Sequence, residues 1–95
     1  MPTLEERVTA LENNYHDIFT WVVYFDPNAW LKWVYYKDNQ RRQGQVQGSY
    51  RYCNIRAADR QQIGYLPTEY PNLNDASDAA YYLNSQIKEE YEQDH

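Results

Sequence analysis

The sequence predicts an α+β fold in which an N-terminal helix, an antiparallel meander of three or four strands and a C-terminal helix follow one another. Three observations support this prediction. Apolar residues recur in a coiled-coil repeat near the N-terminus, β-branched and aromatic residues fill the middle of the chain, and a helical apolar stripe follows the last proline. We therefore divide the 95 residues into an N-terminal helix, 1–18, and a small α+β domain, 19–95.

The N-terminal helix carries a narrow apolar seam. Its members alternate in steps of four and three residues, the repeat that keeps one side of a helix facing a partner helix. Polar residues flank the seam closely, which favours a partner helix over the alternative, an amphipathic helix lying on its own domain. About two heptads make a short coiled coil, so we expect other parts of the chain to share the interface.

A short motif within this helix indicates the kind of oligomer. Arg7 and Glu12 fall at heptad positions from which an ion pair can form across the seam. The string from Arg7 to Glu12 resembles the R-h-x-x-h-E motif of short three-stranded coiled coils, which is common in viral and phage fibre proteins. The resemblance implies a homotrimer and a place in a bacteriophage virion. The expected oligomer interface consists of Leu4, Arg7, Val8, Leu11, Glu12, Tyr15 and Ile18.

The middle of the chain has the composition of β-strands. Residues 19–25 are β-branched or aromatic throughout, which predicts a first strand, although the heptad can also be continued as helix to Phe25. Residues 26–28, Asp-Pro-Asn, predict a turn, because proline fixes φ and the flanking side chains can bond their own backbone.

Alternation orients the second predicted strand, 29–37. The segment that follows it, 38–48, is polar and holds two glycines, which predicts a loop. Further strands are predicted over 49–56 and, more briefly, over 62–66. One face of the second strand carries Trp30, Lys32, Val34 and Tyr36, and the other carries Leu31, Trp33 and Tyr35.

An apolar stripe predicts the C-terminal helix. The helix is expected to begin near Asn74 or Asp75, because both residues are good N-caps. Its acidic last residues, 89–95, are expected to fray. The stripe consists of Ala76, Ala80, Leu83, Ile87 and Tyr91.

Charge is distributed unevenly along the chain, whose net charge is −5. Residues 32–60 carry seven cations and two acids, whereas residues 61–95 carry one cation and seven acids. Much of the hydrophobic content comes from 11 tyrosines and three tryptophans, and such rings suit shallow cores and interfaces. A small chain of this kind gains stability from oligomerisation.

We expect a soluble protein, located in the virion or in the host cytoplasm. Glu5 and Glu6 stand where the apolar part of a signal peptide should begin, so none is predicted. The longest apolar run, 21–25, is far too short to cross a bilayer. The single cysteine, Cys53, excludes an intrachain disulfide.

The sequence offers no catalytic constellation. His16 and His95, the only histidines, fall on an exposed helix position and at the end of the chain. Cys53 shares a strand face with Ile55, which predicts a small core residue and not a nucleophile. No glycine-rich phosphate loop joins a strand to a helix, and no residues have the spacing of metal ligands. We therefore expect a non-enzymatic protein without metal or cofactor.

A basic and aromatic segment is the candidate for ligand binding. Sites for single-stranded nucleic acid combine cations with rings on which bases stack, and sugars stack on rings too. The favoured alternative is internal: the rings form the core and the arginines meet the acidic C-terminal helix or a neighbouring subunit, since an acidic molecule attracts polyanions poorly. The segment comprises Trp30, Lys32, Trp33, Lys37, Arg41, Arg42, Tyr50, Arg51 and Tyr52.

These observations favour a structural or attachment protein. We expect a homo-oligomer, a trimer joined through the N-terminal helix, that belongs to a virion or to a larger assembly with host proteins. One alternative is a binding module whose basic-aromatic sheet takes single-stranded nucleic acid. Another is an acidic inhibitor whose last helix presents Asp78, Glu89, Glu90 and Glu92 to a basic partner protein.

Overall fold

The computed structural model describes residues 18–95. The strands form one antiparallel sheet in the order β2-β1-β3. Residues 1–17 of the predicted coiled-coil helix lie outside the described residues, and so do all of its expected interface residues except Ile18, whose side chain is exposed. The elements are, in chain order, β1 Trp21–Lys37, β2 Gln40–Asn54, α1 Ile55–Arg60, β3 Glu69–Tyr70 and α2 Leu73–Asp94.

The predicted meander is wrong, and the predicted fold class is wrong with it. A meander places each strand beside the preceding one, whereas here the first strand is central and β3 returns to its other side. Because β3 pairs only with Trp21 and Val22, the sheet is dominated by a single long hairpin. The structure shows this antiparallel hairpin with the C-terminal helix, α2, packed against both of its long strands.

The hairpin is long and its turn is tight. β1 and β2 pair from Trp21 opposite Asn54 to Lys37 opposite Gln40, and the 17 residues of β1 extend over about 55 Å. Asp38 and Asn39 form the two-residue turn with φ angles of 55° and 62°. Positive φ at both positions is the type I′ geometry, whose twist matches that of the flanking strands.

The turn predicted over residues 26–28 is a bulge inside β1. Asp26 pairs with Ser49 and Trp30 with Gln47, so three residues of β1 stand opposite Gly48 alone. The backbone N–H of Asn28 donates to Asp26 Oδ1 at 3.0 Å, which is the bond expected of a turn. The strand nevertheless continues, because a bulge tolerates the missing N–H of proline.

The loop predicted over 38–48 is also wrong, since all but its first two residues are strand. The glycines that suggested a loop lie beneath aromatic rings of β1. A Cβ on Gly44 would clash with the Trp33 ring, and one on Gly48, whose φ is +108°, would lie 2.6 Å from Phe25 Cζ. These glycines let two rings cross β2 closely, as glycines in strands do where another group approaches the backbone.

Residues 62–66, predicted as a short strand, instead follow the C-terminal end of α1 as a capping turn and a loop. Gln62 has a left-handed φ of 56°, and its N–H bonds to the carbonyl of Asp59. The N–H of Ile63 bonds to the carbonyl of Ala58 at 2.9 Å, which completes a Schellman cap. The cap turns Ile63 back onto α1, where its side chain packs against the core.

The core is split between the two faces of the sheet. On one face, Val22, Ile55 and Ala58 form a buried cluster that Cys53 and Ile63 cover. Val23 is completely buried and, as the neighbour of Val22 in a strand, points to the opposite face. There α2 buries its small residues Ala76 and Ala80, which allow its backbone to approach closely.

The middle of α2 is attached to the outer edge of β2 by one asparagine. Asn84 Oδ1 accepts from the backbone N–H of Tyr50 at 2.8 Å, and Asn84 Nδ2 donates to the carbonyl of Tyr50 at 3.0 Å. The side-chain amide therefore pairs with Tyr50 as a neighbouring strand would. It satisfies two polar groups that would otherwise be left without partners beneath a helix.

The position of Gly48 gives a stability prediction. Gly48→Ala should lower the free energy of unfolding by about 1–3 kcal/mol, because the new Cβ meets Phe25 and an alanine is strained at this φ. Gly64→Ala is the matched control, since a Cβ there meets nothing within 4 Å. Urea denaturation measures both variants, and equal losses would contradict the close approach of Phe25.

The Asn84 bonds give a second prediction. Asn84→Ala should cost about 1–3 kcal/mol and expose the Tyr50 amide to faster hydrogen exchange, because both edge groups lose their partner. Glu90→Gln, six residues away at an exposed position of the same helix, should change neither. Unchanged protection of the Tyr50 amide in Asn84→Ala would contradict the pairing.

Candidate partner-binding face

The distal half of the hairpin runs from the pair Trp30–Gln47 to the turn, and its two faces differ. One face, the closed face, carries Leu31, Trp33, Tyr35 and Lys37 from β1 and Arg42, Gly44 and Val46 from β2, and it packs against α2. We call the other the open face, because every side chain on it is exposed and nothing within residues 18–95 covers it. The open face consists of Trp30, Lys32, Val34 and Tyr36 from β1 and Arg41, Gln43, Gln45 and Gln47 from β2.

The open face is unusually apolar for a solvated sheet surface. Tyr36 is 73% exposed, Trp30 52% and Val34 46%, and these three residues occupy three of the four outward positions of β1. Antiparallel sheets with one solvated face normally alternate apolar residues inward with polar residues outward. Lys32 lies between Trp30 and Val34, so the face combines exposed rings with polar groups, and interfaces are enriched in aromatic residues.

The polar groups of the open face are cations and amides. Lys32 and Arg41 are its charged residues, and no carboxylate belongs to it. Lys32 and Arg41 are about 13 Å apart along the strands. This is the distance from Lys32 to Tyr36 on β1, because Tyr36 pairs with Arg41. Its three glutamines can each donate and accept hydrogen bonds.

The closed face uses its rings and cations within the molecule. The Trp33 indole N–H donates to Glu92 Oε1 at 3.1 Å, and its ring meets the Tyr91 ring edge-on at 5.1 Å. Lys37 Nζ donates to the carbonyl of Glu92 at 2.8 Å, and Arg42 donates to the carbonyl of His95 at 2.6 Å. These cations lie at the negative end of the helix dipole, where positive charge is stabilising.

The predicted fraying of residues 89–95 is therefore wrong. α2 continues to Asp94, and the His95 ring stacks on Tyr91 with centroids 4.0 Å apart. The acidic end of the chain is held because it meets the basic part of the hairpin. This is the internal arrangement that the sequence favoured for the arginines, and it occupies Arg42 together with Lys37.

The proximal half of the hairpin, from the pair Trp21–Asn54 to the bulge, holds the other predicted binding residues. The Tyr50 ring meets Phe25 edge-on at 5.2 Å, and the Tyr52 ring lies 6.4 Å from that of Trp21. Arg51 forms an ion pair of 3.3 Å with Asp26 across the strands. Of the nine residues predicted to bind a ligand, the open face brings together three: Trp30, Lys32 and Arg41.

Sequence reasoning missed most of the β2 side of the open face. The alternation over 29–37 predicts that Val34 and Tyr36 lie beside Trp30, and the structure has the same grouping. The polar composition of 38–48 predicts a loop for the glutamines of β2. Their alternation, with glutamine at 43, 45 and 47, is the signal that could have placed them on one strand face.

Two titratable groups of the proximal half have shifted pKa values. Burial raises the pKa of the Cys53 thiol, which keeps it in the neutral form that suits its place against the core. The N–H of Asn28 lowers the pKa of Asp26 most, partial burial opposes it, and Arg51 lowers the pKa further. Neither group belongs to the open face.

Residues 18–95 hold neither a group of metal-binding side chains nor a membrane-spanning helix. Among residues 18–95, no three His, Cys, Asp or Glu side chains are grouped so that they could hold a metal ion. No described helix has the length and the apolar content needed to span a membrane.

Comparison of the chain with protein-family models, with curated proteins and with solved structures finds no match. The described part of the chain is a long β-hairpin that a helix covers on one face and that presents rings, cations and amides on the other.

The shifted pKa of Asp26 gives a pH prediction. Its stabilising effect is fully present above the ordinary pKa of an aspartate and is lost as the pH falls through the lowered value. Below about pH 4, the urea midpoint of the wild-type protein should therefore fall more steeply than that of Asp26→Asn, which cannot titrate. Arg51→Gln, which keeps the bond from Asn28, should be intermediate. Equal slopes in wild type and Asp26→Asn would contradict the assignment.

Proposed function

We propose that this chain is a non-enzymatic structural protein that self-associates through the open face. The exposed row of Trp30, Val34 and Tyr36 supports the proposal, because association would remove these side chains from water. In the remainder of the hairpin the rings contact other rings of the molecule. Phe25 and Tyr52 are also exposed there, at 47% and 38%, but each is a single ring that packs against a neighbouring ring.

Charge favours a protein partner over single-stranded nucleic acid. Contacts with phosphates supply much of the affinity for nucleic acid, and they require several free cations. The open face offers Lys32 and Arg41, whereas Lys37, Arg42 and Arg51 bind acceptors within the molecule. The net charge of −5 opposes the approach of a polyanion.

The trimer and the virion assignment stay predictions. Both depend on the motif from Arg7 to Glu12, which lies outside the described residues. The open face adds an association surface within residues 18–95, the part of the chain from which we expected a contribution to the interface.

Removal of the two exposed rings tests the proposal. In sedimentation equilibrium, the wild-type protein should associate, and Trp30→Ser/Tyr36→Ser should raise its dissociation constant at least about tenfold, because buried aromatic residues dominate interface energies. Leu66→Ser removes an exposed apolar side chain outside the hairpin and should leave association unchanged. Circular dichroism checks that each variant is folded.

Two results would overturn the proposal. One is a wild-type protein that stays monomeric at every concentration. The other is salt-sensitive binding of a labelled single-stranded oligonucleotide that Lys32→Ala/Arg41→Ala abolishes, which would favour the nucleic-acid alternative instead.

A further inference from the structure

We infer that the open face of one copy binds the outer stripe of α2 on a second copy, so that copies associate head to tail. The inference rests on the proposed self-association and names the surface that the open face receives. The outer stripe consists of Asp78, Tyr82, Gln86 and Glu89, which follow one another at helical spacing on the side of α2 away from the sheet.

The outer stripe is exposed and acidic. All four of its residues are exposed, and Tyr82 retains 63% of its surface in contact with solvent. The one cation of α2, Lys88, lies to the side of the stripe, with its Nζ 5.5 Å from the centre of the Tyr81 ring. The stripe therefore presents two carboxylates and a ring between them, without a cation.

The two surfaces complement each other in charge and spacing. Asp78 and Glu89 are about 16 Å apart along the helix axis. The cations Lys32 and Arg41 are about 13 Å apart along the strands, a difference that their long side chains can span. Tyr82 lies between the acids as Val34 lies between the cations, so Tyr82 meets Val34 when the charges pair.

In this arrangement a helix covers the open face, as α2 already covers the closed face. α2 packs its inner side on the closed face of its own hairpin, and its C-terminal end meets Lys37 and Arg42 there. A helix from a second copy would cover the open face in the same manner. The hairpin would then lie between two helices, which buries both of its faces.

Symmetric association of like surfaces is disfavoured. Two open faces in contact would bring four cations together, and two outer stripes would bring four carboxylates together. Like charges opposed across an interface are costly, so opposite charges set the pairing. Head-to-tail association leaves one free surface at each end, and the copies form either a closed ring or a growing chain.

Charge reversal on either surface provides the test. The face variant is Lys32→Glu/Arg41→Glu, and the stripe variant is Asp78→Lys/Glu89→Lys. In sedimentation velocity, each variant alone should lose association, with a dissociation constant raised at least about tenfold, because like charges then meet. Mixing the two variants should restore association, as should a single chain that carries all four substitutions.

The outcomes separate the inference from the proposed function. A stripe variant that associates as the wild type does, beside a face variant that does not, would overturn the head-to-tail pairing and leave the open face as the association surface. Two variants that both associate normally would overturn the pairing, whereas the proposed function is overturned only if Trp30→Ser/Tyr36→Ser also associates as the wild type does. Loss in both variants without recovery in the mixture or in the four-substitution chain would also overturn the pairing, provided that circular dichroism shows every chain folded.

Discussion

The pairing of β1 with β2 decides where every other feature of the described chain lies. Because side chains alternate along a strand, a slip of one residue would move the open face beneath α2 and bring the closed face to solvent. Two devices hold the register. The type I′ turn at Asp38 and Asn39 fixes it at the tip, and Gly48, which leaves room for the Phe25 ring, fixes it at the bulge. Two contacts then position α2 on the hairpin: the hydrogen bond from the Trp33 indole to α2, and the pairing of the Asn84 side-chain amide with the backbone of Tyr50.

The uneven charge of the sequence is resolved within the fold. The acidic last turn of α2 ends against Lys37 and Arg42, whose positive charges also compensate the carbonyl groups at the helix end. These contacts with the end of α2 involve only cations on the closed face of the hairpin. Lys32 and Arg41 are left on the other face, and the opposite charge remains on the outer side of the helix. A molecule that balances part of its charge internally thereby keeps two surfaces of opposite sign.

The sequence predicted some of these elements and misjudged others for physical reasons. The C-terminal helix and the grouping of Trp30 with Tyr36 follow from periodicity, which local sequence records directly. Pro27 and Gly48 were read as signs of a turn and a loop, but the same residues serve a bulge and a close ring contact inside paired strands. Only the opposite strand distinguishes these uses, and strand pairing is a long-range property. The candidate face was half predicted for the same reason: its β1 residues were grouped, and its β2 residues were not.

The bulge in β1 has a consequence for how the protein can change. From Asp26 to Trp30, β1 advances by four residues, whereas the opposite strand advances by two, from Ser49 to Gln47. The bulge therefore adds two residues to β1. An even insertion preserves the parity of the strand, so Phe25 and Trp33 still point to the same face on either side of it. An odd insertion or deletion there would reverse every side chain toward the turn and place lysine and valine under the helix. Insertions or deletions of two residues at 27–29 therefore preserve the two faces of the hairpin. A homologue that differs there by one residue would expose the other set of side chains.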